Sequence, residues 1–423
     1  MLGRIVNKLR SSNRDVMILM VGTIVSQAIP VLASLILTTL FSPEDFGLFQ
    51  IYFSLSMILS VAVTLRFEMA IILPEKDEDA RHLLALSCLL SLGFSVVILL
   101  LVFLFRDQFS VWMKEPRLSE SLFLLPFTLL VIGCYQGFNY YSNRLKYYNQ
   151  LSFSRVARSL NSAVFSIWFG FFSLFKSFGL ILGDSLGQAM STIFIGWRTL
   201  RKHPDLFKGI KQVKMKELAK RYRQFPLFNV PSGLLEKLSG NLPSILLLPV
   251  YGSGMVGFLY LSQRMISLPG TVVARAIGDV FRQSAAEAFQ REQQCKALFL
   301  RTFKKLSLLS IPPFVLLFFF VEDLFALVFG EEWREAGKYA QILMPMFLIQ
   351  FIVSPLSAMF LVAEKQKIDF LIQICLILGI LSAIYGGHYF YNDPKITLIL
   401  YSAVYSVKYV VEFFLSYKFS KGK

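Results

Sequence analysis

The sequence predicts an all-α polytopic membrane protein, with about twelve transmembrane helices in two six-helix lobes. Three observations carry that reading. The 423 residues are 55% hydrophobic and only 17% charged, whereas soluble domains hold about 25% charged residues. Twelve apolar stretches are each long enough to cross a bilayer, which takes roughly 20 predominantly apolar residues. The basic residues concentrate in alternate loops, as they do when one face of a membrane protein stays in the cytoplasm.

The stretches run over 16–41, 46–72, 83–105, 121–143, 155–175, 178–198, 225–250, 256–281, 305–321, 339–363, 370–392 and 396–417. They are long and continuous, without the two-residue alternation of an outer-membrane barrel. The first exceeds a signal-peptide core and no small-residue cleavage site follows it, so it reads as a retained helix. The fifth and sixth are joined by a short turn near Lys176. With both termini inside, the inner segments hold 31 of the 43 Lys and Arg, among them Arg4, Lys8, Arg10 and Arg14, and the outer loops hold 7. One missed helix would invert every later loop, so the even count and the orientation support each other. The net charge of +16 therefore belongs to membrane-facing loops rather than to a nucleic-acid face.

The longest inner loop, 199–224, is strongly basic and divides six helices (1–198) from six (225–423). Phe207, Ile210, Val213 and Leu218 form an apolar stripe there, expected as an interfacial linker helix over anionic lipid. The halves resemble each other under a shift of 210 residues. Ser34, Leu35, Ile36 and Leu37 fall on Ser244, Ile245, Leu246 and Leu247, and Gly47 falls on Gly257. Parallel repeats of this kind build two-lobed transporters with a substrate path between lobes.

Five bases, Arg66, Lys237, Arg264, Arg275 and Lys408, and five acids, Glu68, Asp184, Glu236, Asp279 and Glu412, lie within the spans. A charge at a helix centre costs about 2.5–3.5 kcal/mol on insertion scales, so such residues face a cavity or a partner. Arg275 and Asp279, and also Lys408 and Glu412, are four residues apart and can pair. Arg66 can snorkel to the inner boundary. Lys237 and Arg264 lie near helix centres; Glu236 adjoins Lys237 in sequence but is not expected to face it. Arg66, Lys237, Arg264 and Arg275 are the candidate cationic lining of a substrate cavity. Glu68, Asp184, Glu236, Asp279, Lys408 and Glu412 are candidates for cavity lining or ion coupling. Tyr135, Tyr140, Tyr141, Tyr147 and Tyr148 cluster at one helix end, either as an interfacial belt or as a sugar-stacking surface.

The residues for catalysis or metal binding are missing from the pattern. Cys88, Cys134 and Cys375 fall in apolar stretches, Cys295 stands alone in a loop, and His82, His203 and His388 are scattered. No spacing suggests a metal site, a disulfide framework or a nucleotide fingerprint. The protein is expected to be no enzyme and to carry no cofactor or metal; coupling to H+ or Na+ and an uncoupled cycle both fit.

Ser42-Pro43-Glu44-Asp45-Phe46-Gly47, Leu65-Arg66-Phe67-Glu68 and Leu73-Pro74-Glu75-Lys76-Asp77-Glu78-Asp79-Ala80 carry a family resemblance. This N-terminal stretch of about 90 residues resembles the bacterial polysaccharide repeat-unit flippases. These are the Wzx-type O-antigen transporters of the multidrug/oligosaccharidyl-lipid/polysaccharide (MOP) exporter superfamily. The resemblance implies a MATE-like V of two lobes around a cationic cavity. It implies an undecaprenyl-diphosphate-linked oligosaccharide carried from the cytoplasmic to the periplasmic leaflet of the inner membrane by alternating access. It implies membrane lipids, a polysaccharide polymerase and a chain-length regulator as partners. The nearest rival is a drug or cation antiporter of the same superfamily, whose cavity should favour acids. A major-facilitator transporter should carry a glycine-rich basic loop where 74–80 is acidic. A polymerase or ligase should carry a large outer loop, and the longest here, 106–120 and 322–338, leave little room.

Overall fold

The computed structural model describes residues 2–172 and 178–422, with side chains outside 2–16, 269 and 271. The turn expected near Lys176, and the side chains of Arg4, Lys8, Arg10 and Arg14, lie outside that description. Among the described residues every regular element is helical. Eight segments are long and apolar enough to cross a bilayer. One of them, Phe225–Glu292, spans 68 residues and bends at Gly252 (φ 85°, ψ 171°), so it holds two expected spans. Helices α2 (Pro43–Leu59), α7 (Tyr148–Gly170) and α8 (Gly179–Lys202) supply the other three of the twelve.

The chain divides into two compact units, 1–241 and 242–423. The first begins with α1 (Leu2–Leu40). Ser42 then caps α2: its hydroxyl accepts from the Asp45 amide at 3.4 Å, and the Asp45 carboxylate accepts from the Ser42 amide at 3.1 Å. Such a capping box satisfies two of the amides that a helix start leaves open, and the cap contributes about 1 kcal/mol. Pro43 at the first turn needs no partner for its nitrogen. Asp45 also receives Arg117 Nη1 at 3.0 Å, and Arg117 Nε reaches Glu115 at 2.9 Å. Arg117 therefore ties Asp45, just after the first span, to Glu115, just after the helix Asp77–Met113.

The second span departs from expectation. A continuous helix over 46–72 is predicted, yet α2 stops at Leu59 and the chain turns through 60–66 before the short α3 (Phe67–Ala70). Leu65 (φ 51°) and Arg66 (φ 63°) both adopt the left-handed conformation. The β-branched Val61, Val63 and Thr64 weaken helix propensity here, and tight i to i+3 hydrogen bonds such as Leu65 N–H to Ala62 O (3.0 Å) replace the helical ladder.

The rest of the unit is α4 (Asp77–Met113), α5 (Arg117–Ser121), α6 (Leu125–Arg144), α7 and α8. Helices α7 and α8 pack through small residues. A Cβ on Gly183 would lie 2.5 Å from Ser166 N, and one on Gly187 2.5 Å from Ser162 N. This four-residue glycine spacing lets two backbones approach where lipid supplies no hydrophobic drive. Helix α1 meets α7 the same way: Gly22 faces Ser152, whose hydroxyl donates to Ile18 O at 3.0 Å.

The linker forms a helix, α9 (Gln212–Arg221), shorter than the expected stripe. Phe207 and Ile210 precede it, and Val213 is 71% exposed, while Leu206, Met215 and Leu218 are buried. The helix packs on α4; of the stripe, Leu218 is buried while Phe207 and Val213 are exposed. Lys214 lies 3.8 Å from Asp79, the Lys211 amide donates to His82 Nε2 at 3.2 Å, and Arg81 donates to Asp205 O at 3.1 Å.

Helix α10 (Val230–Pro269) begins in the first unit. The second unit continues with α11 (Arg275–Glu292), α12 (Lys296–Phe329), α13 (Arg334–Val353), α14 (Met359–Val362), α15 (Gln366–Tyr391) and α16 (Pro394–Ser420). Helix α13 packs against both α12 and α16, and α15 lies along α16. Trp333, Phe281 and Phe299 are fully buried in this unit.

Candidate functional site

The break in the second span exposes a guanidinium to a low-dielectric environment. Arg66 Nη1 lies 3.8 Å from Glu68 Oε1, with the Arg66 side chain 20% and the Glu68 side chain 1% exposed. The Thr64 hydroxyl donates to the other Glu68 oxygen. Because 60–66 is unwound, all three side chains converge instead of fanning around a helix. Opposite stands Gly233 in α10: a Cβ there would come within 2.4 Å of Arg66 Nη2 and 3.0 Å of Val61. Helix α3 also packs on the turn 225–229, where Asn229 lies 4.0 Å from Met69 Sδ. Arg66 Nε is buried without a hydrogen-bond partner among the described residues. A guanidinium has five donors, and a buried donor left open costs about 1–3 kcal/mol. The site thus holds fixed positive charge with donor capacity to spare.

The second unit carries its own polar stripe. Lys408 Nζ binds the buried Glu412 at 2.8 Å, is itself 12% exposed, and sits 3.9 Å over the Tyr409 ring. Tyr401, Tyr405 and Tyr409 follow at helical spacing along α16, with neighbouring rings 5.0 and 6.3 Å apart. Gln263 reaches Tyr401 OH at 3.5 Å. Arg264 packs on Tyr260, its guanidinium bonded to the hydroxyl and 5.4 Å from the ring centre.

A family model described as polysaccharide biosynthesis protein matches residues 36–338, well over half of the chain. The chain belongs to the polysaccharide biosynthesis protein family. Family relatives agree in extent. It is 20% identical to the lipopolysaccharide biosynthesis protein WzxC of Escherichia coli (strain K12), across 83% of this chain and 70% of that one. It is 20% identical to the teichuronic acid biosynthesis protein TuaB of Bacillus subtilis (strain 168), across 81% and 68%. Among solved structures, the lipid II flippase MurJ in an inward closed conformation matches with a TM-score of 0.74 at 14% identity, covering 95% of this chain and 87% of MurJ. An inward-facing MATE transporter of the MOP superfamily matches at 0.68 and 17% identity, over 92% and 93%. The fold is therefore that of the MOP superfamily, and this family member is a multi-pass membrane protein, as the N-terminal resemblance implies.

Of the candidate residues in this polysaccharide-biosynthesis chain, Arg66 and Glu68 come together in the first unit. Lys237 does not stand unpaired as its spacing suggests: its flexible stem lets Nζ approach the adjacent, largely exposed Glu236 to 3.5 Å. Asp184 accepts from Ser162 at 3.3 Å, beside the glycine contact of α7 and α8. In the second unit Lys408 and Glu412 make the pair that their spacing allows. Arg275 and Asp279 do not: both are exposed, and Asp279 binds Arg282 instead, at 3.1 Å. Its nearer partner lies three residues on, where the side chains overlap well on a helix surface.

The tyrosine cluster divides. Tyr141 is buried edge-on to His203, while Tyr147 stacks on His203 and its hydroxyl lies 3.0 Å from His203 Nε2. Tyr135 bonds Ser154 at 3.2 Å. Those three serve packing. Sequence reasoning missed Thr64 and Gly233, which have no distinguishing pattern. It also missed Arg144, whose guanidinium gathers the carbonyls of Ile71, Ile72, Pro74 and Glu75 and pairs with Asp77 at 2.8 Å. An arginine ending a span opposite a Pro-Glu-rich loop was the available signal.

Proposed function

We propose that this chain flips an undecaprenyl-diphosphate-linked oligosaccharide from the cytoplasmic to the periplasmic leaflet of the bacterial inner membrane by alternating access. Both termini are cytoplasmic. The substrate serves O-antigen or related surface-polysaccharide synthesis, and a polymerase and chain-length regulator act on the product. The protein is a transporter, not an enzyme.

The observation that supports this most directly is Arg66. A diphosphate entering the membrane loses its water and needs charge-assisted hydrogen bonds in return. A guanidinium with an unpartnered buried Nε supplies them in fixed geometry. The lipid tail stays in the bilayer while head group and glycan pass. A membrane potential negative inside favours outward movement of anions by about 2.3 kcal/mol per charge per 100 mV. The antiporter reading needs unpaired acids to attract cations. Among the described candidate acids Glu68, Glu236, Asp279 and Glu412 each lie beside a base, which leaves Asp184, bonded to Ser162, as its one candidate.

The test uses proteoliposomes holding the full chain and a fluorescent undecaprenyl-diphosphate glycan, read by a membrane-impermeant quencher. R66Q should slow flipping about tenfold or more at normal protein abundance, the loss of one charge-assisted bond. R66K should retain part of the rate, keeping charge but losing the fork. Wild-type flipping by R66Q removes Arg66 from the site. Failure of the wild-type chain to move any lipid-linked glycan removes the function.

A further inference from the structure

At the end of α7 that carries Tyr148, a cavity of about 650 Å³ opens between α1, α7 and α8. It lies wholly within the first unit and apart from Arg66. Three cations line it: Lys146, Arg198 and Lys202. Three described acids of the first unit are engaged elsewhere, Asp77 by Arg144, Asp79 by Lys214 and Asp205 by Lys208. Among the described residues none pairs with the three cavity cations. Lys202 instead sits 3.7 Å over the Tyr147 ring, which holds its ammonium in place without neutralising it.

The opposite wall is apolar. Val21 and Val25 of α1 line the cavity and are 53% and 39% exposed. A cationic rim beside an exposed apolar wall matches a lipid, with its phosphate on one side and its acyl chains on the other.

Lys146 adds a third observation. Helix α6 ends in a Schellman motif: Tyr147 N–H reaches Ser142 O at 2.9 Å and Lys146 N–H reaches Asn143 O at 3.0 Å. The motif requires a left-handed residue, and Lys146 has φ 59°. Glycine is the usual occupant because a Cβ is strained there. A lysine at that position sets its chain at the cavity mouth at a conformational cost.

We infer that this cavity binds the phosphate-bearing headgroup of a glycerophospholipid in the cytoplasmic leaflet. Its volume falls in the range of small-ligand pockets, roughly 300–1,000 Å³. That suits a glycerophosphate headgroup. The carried polyprenyl lipid is the other membrane source of phosphate, and the test separates the two.

The full chain is purified into phosphatidylcholine nanodiscs. Binding of phosphatidylglycerol and of undecaprenyl phosphate is measured separately by native mass spectrometry. The variant K146Q/R198Q/K202Q should lower phosphatidylglycerol affinity about tenfold or more, since each cation near a membrane surface contributes to anionic-lipid binding. The control K208Q/K216Q/K220Q removes equal charge from the linker and should change it little. K146G suits the left-handed backbone, so it should keep or raise thermal stability while weakening lipid binding. That variant carries the test if the triple variant does not fold. R66Q should leave phosphatidylglycerol binding unchanged, which keeps this inference separable from the transport reading. Equal loss in the control, unchanged binding in K146G, or selective binding of undecaprenyl phosphate alone would each overturn it.

Discussion

A methyl group on residue 233 would stand 2.4 Å from Arg66 Nη2, the far end of a long side chain, and 3.0 Å from Val61. The guanidinium can swing away, so G233A should fold and reach normal abundance. It should also move Arg66 off Glu68 and slow flipping about tenfold, on the scale of one lost charge-assisted bond. Immunoblotting and the proteoliposome assay separate the two outcomes. Normal flipping would mean that the placement of this guanidinium is unimportant. At this scale the sequence was legible for the identity of Arg66 and Glu68, which stand out as charges in an apolar run. Thr64 and Gly233 were not, because a hydroxyl and a glycine are ordinary in membrane helices. Nor was the pairing of Lys237, since adjacency on a helix gives no warning that a long side chain can fold back.

Helix packing makes sharper demands. Gly183 and Gly187 leave only 2.5 Å between a would-be Cβ and the backbone nitrogens of α7. Backbone cannot yield as a side-chain tip does, so G183A and G187A should each destabilise the first unit by about 1–3 kcal/mol, the usual cost of overpacking. Gly93 has nothing within 4 Å of its would-be Cβ, so G93A should be neutral or stabilising by about 0.5–1 kcal/mol. Thermal unfolding in detergent orders the three; equal midpoints would refute close approach of α7 and α8. Among elements, the spans could be read from hydropathy. The unwinding at 60–66 could not, because hydropathy reports the solvent of a segment and not its backbone. Two left-handed non-glycine residues, Leu65 and Arg66, leave no compositional trace.

For the whole molecule, the asymmetry of 31 inner against 7 outer basic residues remains the strongest guide to orientation. Reporter fusions after residues near 77, 148, 211, 292 and 420 should read cytoplasmic, and those near 113 and 331 periplasmic. Two inverted sites would break the twelve-span order. The linker between the helix sets has a mechanical meaning that its length conceals. Residues 199–224 could reach about 85 Å if extended at roughly 3.3 Å per residue. Anchoring α9 to α4 through Asp79, His82 and the buried Leu218 shortens the free tether to residues 222–224. About 10 Å of slack then remains before the chain re-enters the helix at Phe225. What looks like a long leash is a short tie, and the helical turn that begins at Phe225 can lie no farther from the end of α9 than those three residues allow.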